Sequence, residues 1–163
     1  MNLLLTLFAV IAVFTPQDTT YYDSFPDALK ESNKNNNAQM YLLDNVDFEG
    51  SAAAQTIKKN LTIDLNGYSL GATLSGTSLL SVNNDTVSLT ITSSRPGGKI
   101  WAVRNYNGKI SAISISKGSL SISHVDIEVQ NKKVYNASSA KSVAASGVTI
   151  AATSSMTMAC STW

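Results

Sequence analysis

Apolar and polar residues alternate in short segments that recur along the chain. The clearest series consists of Leu61–Leu65, Ser88–Thr92, Ser119–Ser123 and, more weakly, Ser155–Ala159. Apolar residues occupy every second position in these segments, a period that predicts a half-buried β-strand and fits no amphipathic helix. The segments return at intervals of roughly 30 residues, a spacing typical of stacked supersecondary units.

A second series of the same kind runs in phase with the first. Its members are Leu79–Val82, Ala112–Ser116 and Gly147–Ala151, and each comes shortly before a member of the first series. Such a strand cannot bury its apolar face alone, so neighbouring coils must stack and pool these faces in one interior. The sequence therefore predicts an all-β fold, a β-solenoid of about four coils.

A short helix is predicted before the repeats begin. Ser24 is a suitable N-cap, Pro26 falls in the first turn, and Phe25 and Leu29 form an apolar side. We expect residues 24–35 to cap the open end of the solenoid, because an uncovered end exposes apolar interior and unpaired strand edges.

Several strings from residue 21 onward resemble a known family. They are YYDSFPDALKES at 21–32, MYLLDNVDF at 40–48, TIKKNLTIDLNGYSL at 56–70, SLLSVNNDTVSLTITSS at 78–94 and GGKI at 97–100, and the most specific part is NLTIDLNGYSL at 60–70. Over about residues 21–129 the chain resembles the start of right-handed parallel β-helix modules, similar to pectate-lyase-like folds, in large secreted and surface proteins of bacteria. The resemblance implies a right-handed parallel β-helix and an extracellular setting. It implies no reaction, because such modules often belong to adhesin-like proteins without known chemistry.

The two ends of the chain suggest how it is organised. Leu3–Phe14 is apolar apart from Thr6, has the length of a signal-peptide core and is too short to span a bilayer. Because no basic residue precedes it and no clear cleavage site follows, a hydrophobic first strand or a truncated gene start is the alternative. We assign 1–20 to an export segment and 21–163 to the β-helix domain. No polar cap follows the last strand, which predicts further coils beyond Trp163.

The dipeptide Asn66-Gly67 lies between two apolar segments and permits two interpretations. It is a strong signal for a two-residue hairpin, but the phased repeats favour a solenoid corner. We expect Asp64, just before it, to hydrogen-bond the backbone of that corner.

Composition excludes several classes of function. The net charge is +1 and no dense cluster of Lys or Arg stands out along the chain, so nucleic-acid binding is disfavoured. The lone Cys160 excludes a disulfide within this chain, and the lone His124 excludes a multi-His metal site. We predict no metal, no cofactor and no transmembrane span.

One segment offers candidates for catalysis. If Val125, Ile127 and Val129 point inward, then His124, Asp126 and Glu128 project outward in a row, about 7 Å apart at each step. Sugar-degrading enzymes need such groups around one sugar ring. Alternating charge is also common on a solvated strand face, however, and no matching acidic cluster occurs in neighbouring repeats.

A second group of residues offers candidates for ligand binding. Trp101 and Tyr106, beside Arg104, can stack on a sugar, because flat apolar rings meet the C–H faces of glycans well. The alternative is that Trp101 packs at the edge of a coil.

These observations favour a secreted or cell-surface module that is structural or adhesin-like rather than enzymatic. The alternative is a carbohydrate-binding or polysaccharide-degrading β-helix protein, and a trimeric fibre is a third class that fits the fold. The expected partners are glycans or other molecules of a host or cell surface.

Overall fold

The computed structural model describes residues 9–48, 54–104, 109–131, 145–150 and 155–159. Thirteen strands and one helix occupy the described part of the chain. Their bounds are β1 Ile11–Phe14, β2 Thr19–Tyr22, α1 Phe25–Ser32, β3 Ala38–Leu42, β4 Val46–Phe48, β5 Gln55–Ile57, β6 Leu61–Asp64, β7 Ser69–Thr73, β8 Ser78–Thr92, β9 Lys99–Arg104, β10 Ile110–Ser123, β11 Asp126–Asn131, β12 Ala145–Ile150 and β13 Ser155–Ala159. The predicted all-β class is confirmed.

The described strands form two sheets, and the chain passes repeatedly from one to the other. The larger sheet has nine strands, with the order β12-β10-β8-β6-β3-β1-β2, while β13 pairs with β10 and β5 with β8. The smaller sheet has four strands in the order β11-β9-β7-β4. Pairing in the smaller sheet is parallel throughout. The larger sheet is mixed, because β1 runs antiparallel to both β2 and β3.

Equivalent residues of successive repeats lie opposite one another in the larger sheet. Two buried rows run across β6, β8 and β10 in parallel register, Leu61 with Leu89 and Leu120, and Ile63 with Ile91 and Ile122. These apolar residues of the first sequence series therefore lie opposite their counterparts one repeat away, and all of them belong to the hydrophobic core.

In two long strands, β8 and β10, members of both sequence series follow one another. In β8 and β10 the first half carries the second series and the second half carries the first. Irregular pairing separates the two halves near Gly118, which has a φ of +103°. A Cβ at this position would lie 2.5 Å from the carbonyl oxygen of Val87, so the close approach of β8 and β10 requires glycine.

Asn66 and Gly67 form a corner rather than a hairpin. The strands on either side of them, β6 and β7, lie in different sheets. Both residues have positive φ, 50° and 83°, and the Asn66 side chain donates a hydrogen bond to the carbonyl oxygen of Leu42 at 3.0 Å. One carboxylate oxygen of Asp64 accepts hydrogen bonds from the backbone N–H groups of Asn66 and Ser94, at 2.8 and 2.9 Å. The predicted role of Asp64 is confirmed.

The predicted helix covers one end of the core. Ser24 caps α1 and accepts a hydrogen bond from the backbone N–H of Asp27. Phe25 and Leu29 are buried, and the Phe25 ring stacks on Phe48 of β4 with a centroid distance of 5.9 Å. The apolar side of the helix thus closes the interior beside the first strands.

Strand β1 consists of the last residues of the apolar run Leu3–Phe14, within the predicted export segment. Ile11, Ala12 and Val13 are buried, and β1 lies between β2 and β3. This part of the apolar run therefore forms the hydrophobic first strand that was the alternative to an export segment. Residues 1–8 lie outside the described residues, and export of the chain stays a prediction. No helix in the described part of the chain is long and apolar enough to cross a membrane.

Candidate functional site

The outer side of the smaller sheet brings together residues that are far apart in sequence. Leu70, Ala72, Ile100 and Ala102 are fully buried on its inner side, so the residues that alternate with them face outward. We call this outer surface the Trp101 face. Its residues on β4, β7, β9 and β11 are Asp47, Ser69, Gly71, Thr73, Lys99, Trp101, Val103, Asp126, Glu128 and Gln130.

Register places Trp101 in the middle of this face. It pairs with Gly71 on one side and with Glu128 on the other, and Gly71 in turn pairs with Asp47. Neighbouring strands are about 4.8 Å apart, so the row from Asp47 to Glu128 spans about 14 Å. Lys99 forms the adjacent row together with Asp126.

The Trp101 ring occupies the space above Gly71. A Cβ at position 71 would overlap the indole atoms, so the ring can cover the neighbouring strand only because residue 71 has no side chain. Trp101 is half-buried, and the rest of its surface faces solvent. A partly exposed aromatic side chain held against a sheet is a suitable platform for stacking a flat ligand.

Charged groups surround this platform. Lys99 forms an ion pair with Glu128, which also accepts a hydrogen bond from the side-chain nitrogen of Gln130. Asp47 and Asp126 are exposed. Carboxylates accept hydrogen bonds and cannot donate them, so the face matches ligands rich in hydroxyl or amino groups better than anions.

The predicted row of His124, Asp126 and Glu128 does not lie on one strand. Strand β10 ends at Ser123, and β11 begins at Asp126 in the other sheet. His124 occupies the corner between them with a φ of 57°, so the chain changes direction there and the alternation is interrupted. Asp126 and Glu128 instead lie on the same face as Trp101, which the sequence pattern places in a separate candidate site.

Arg104, the last residue of β9, does not belong to the Trp101 face. It follows the buried Ala102 by two positions, and its Nη1 donates a hydrogen bond to the carbonyl oxygen of Lys109 at 2.8 Å. The remaining ligand-binding candidate, Tyr106, and the single cysteine, Cys160, lie outside the described residues.

Sequence reasoning missed the contributions of Asp47, Gly71 and Lys99. Their approach to Trp101 depends on the pairing register, which the residues do not encode locally. Gly71 offered one signal, because an isolated glycine in a strand often marks the close approach of another group.

The described residues contain no group of three or more His, Cys, Asp or Glu side chains arranged to hold a metal ion. Comparison with protein-family models, curated proteins and solved structures finds no match to this chain.

Proposed function

We propose that this chain is a right-handed parallel β-helix module of a secreted or cell-surface protein, with a structural or adhesin-like role and no enzymatic activity. The observation that carries this proposal is the in-register parallel stacking of equivalent residues from successive repeats. The alternation of the chain between two sheets also supports it, since each coil of a β-helix supplies strands to more than one sheet. Four parallel strands in the smaller sheet correspond to the four coils expected.

The engagement of two outward carboxylates, Asp64 and Glu128, supports a structural role. Asp64 holds the backbone of two adjacent corners, and Glu128 is held by Lys99 and Gln130. A carboxylate committed to such partners stabilises the stack and is a poor proton donor or acceptor for a substrate.

The outer side of the larger sheet supports a role in presentation. Polar residues lie across neighbouring strands in one row, from Gln39 through Thr62 and Thr90 to Ser121. In the next row the hydroxyl of Ser123 donates to that of Thr92 at 3.0 Å. These polar rows give the larger sheet a polar outer flank, on which at least one pair of hydroxyl groups is bonded across strands.

Glycan binding at the Trp101 face is the second candidate function. The half-buried Trp101 ring on Gly71, with the exposed Asp47 and Asp126 close by, favours it. The excess of carboxylates over the single Lys99 indicates a neutral glycan, because an acidic one would be repelled.

Retention and turnover of glycans distinguish these functions. We would run the parent protein through native gels that contain neutral polysaccharides and would follow new reducing ends in parallel. Trp101→Ala removes the platform, whereas Thr90→Ala is a matched control on the outer side of the other sheet. We expect no turnover by any variant, and retention that Trp101→Ala abolishes and Thr90→Ala preserves.

Two other outcomes would change this assignment. A protein that is neither retained nor active would leave the structural role and exclude glycan binding at this face. New reducing ends that the parent produces and an Asp126→Asn/Glu128→Gln variant does not would overturn the non-enzymatic proposal.

A further inference from the structure

A groove runs between α1 and β5 of the larger sheet. Its cavity volume is about 490 Å³. Its lining residues are Pro26, Leu29, Lys30, Asn33, Lys34, Gln55, Thr56 and Lys58. A second concavity of about 250 Å³ shares Lys58 and adds Lys59 beside the polar residues Asn36, Asn60, Asn84 and Thr86. We call the two together the lysine groove.

Asparagine side chains hold the two lysine-bearing segments together. The Asn33 side-chain nitrogen donates to the carbonyl oxygen of Thr56 at 2.9 Å, and its oxygen accepts from the backbone N–H of Lys58 at 2.7 Å. The side-chain oxygen of Asn36 accepts from the backbone N–H of Asn60 at 3.2 Å. These bonds fix the turn that carries Lys58 and Lys59 against the end of α1. The sequence shows no dense basic cluster because the segments are separated along the chain.

The groove has an excess of positive charge. Lys30, Lys34, Lys58 and Lys59 are all exposed, and none of the described residues that line the groove is acidic. Glu31 lies beside it and pairs with Lys34 at 2.7 Å. Its hydrogen bond and negative charge raise the pKa of Lys34. Three of the lysines have no ion pair with a carboxylate among the described residues.

We propose that the lysine groove binds an anionic polysaccharide, with the lysines facing its sulfate or carboxylate groups. Charge complementarity supports an anionic ligand. Gln55 and Thr86 add polar groups suited to sugar hydroxyls. No aromatic side chain lines the groove within the described residues, whereas single-stranded nucleic acid is generally held by aromatic stacking as well as by charge. This proposal does not depend on glycan binding at the acidic Trp101 face.

Dextran sulfate and uncharged dextran test the proposal, because they share one backbone and differ in charge. We would measure the binding of each at physiological salt to the parent and to Lys58→Gln/Lys59→Gln. The matched control is Arg95→Gln/Lys109→Gln, which removes the same charge at exposed positions outside the groove. We expect the parent to bind dextran sulfate and not dextran. The groove variant should lose about tenfold in affinity and the control should lose little.

Two further measurements test for misfolding of the variants and for binding at the Trp101 face. Circular dichroism confirms that both double variants are folded, and Trp101→Ala should keep the affinity for dextran sulfate, which separates this site from the Trp101 face. Equal losses in the groove and control variants, equal binding of the two dextrans, or no binding of dextran sulfate by the parent would each overturn the proposal. Tighter binding of single-stranded DNA than of dextran sulfate would assign the groove to nucleic acid instead.

Discussion

Gly71 is the residue on which the position of the Trp101 ring depends. The space that a side chain at position 71 would need is filled by the indole. Glycine weakens a strand interior through its backbone entropy, so its presence in β7 is best explained by the contact that it permits.

We therefore expect Gly71→Ala to destabilise the protein by about 1–3 kcal/mol, the cost typical of forcing an extra group into packed surroundings. Trp101→Ala in the same chain should relieve this clash, so the double variant should be more stable than the sum of the two single effects predicts. Urea denaturation measures both quantities. Trp101 emission should shift in Gly71→Ala, and it is best followed with Trp163 replaced by Phe. Strictly additive effects would show that the ring does not rest on Gly71.

The hydrophobic pattern alone did not identify β1 as a strand. Val13 is fully buried, whereas its neighbour Phe14 is 42% exposed. The run of apolar residues from Leu3 gave no period from which a strand could be distinguished from an export segment. Only the pairing with β2 and β3 makes the distinction for Ile11–Phe14.

Val13→Asp and Phe14→Asp test whether β1 belongs to the folded core. We expect Val13→Asp to unfold the protein, since it places an unpaired carboxylate in the core at a cost of several kcal/mol. Phe14→Asp should change the free energy of unfolding by only about 0.5 kcal/mol, as is usual for exposed positions. Thermal denaturation of the purified protein gives the comparison. If neither change has an effect, β1 is absent from the mature protein, as removal of an export segment would require.

The strands of the two recurring series and their faces could be predicted from the sequence, but the contacts in the smaller sheet could not. The period of two identified the inward residues Ile63, Ile91 and Ile122, and the spacing of the repeats indicated which of them would stack. By contrast, the meeting of Trp101 with Glu128 follows from the register of the smaller sheet and from a change of direction at His124. Both depend on packing across the whole fold, so local patterns carry little information about them.

Within the described part of the chain, two surfaces carry opposite charge. Three carboxylates and one lysine lie on the Trp101 face, while four lysines lie along the lysine groove. The net charge of +1 does not reveal this distribution, because the 12 Lys and Arg residues of the whole chain nearly balance its 11 Asp and Glu residues. If the proposed adhesin-like function is right, the two surfaces would bind ligands that differ in charge.

Contacts between isoleucine methyl groups would show whether equivalent residues of successive repeats stack in parallel register. In a protein labelled only at isoleucine methyls, nuclear Overhauser effects report which side chains are neighbours, and Ile91→Val identifies the central signal. We predict cross-peaks between Ile63 and Ile91 and between Ile91 and Ile122, whose strands are about 4.8 Å apart. A direct contact between Ile63 and Ile122, or the absence of both predicted contacts, would contradict the stacked arrangement.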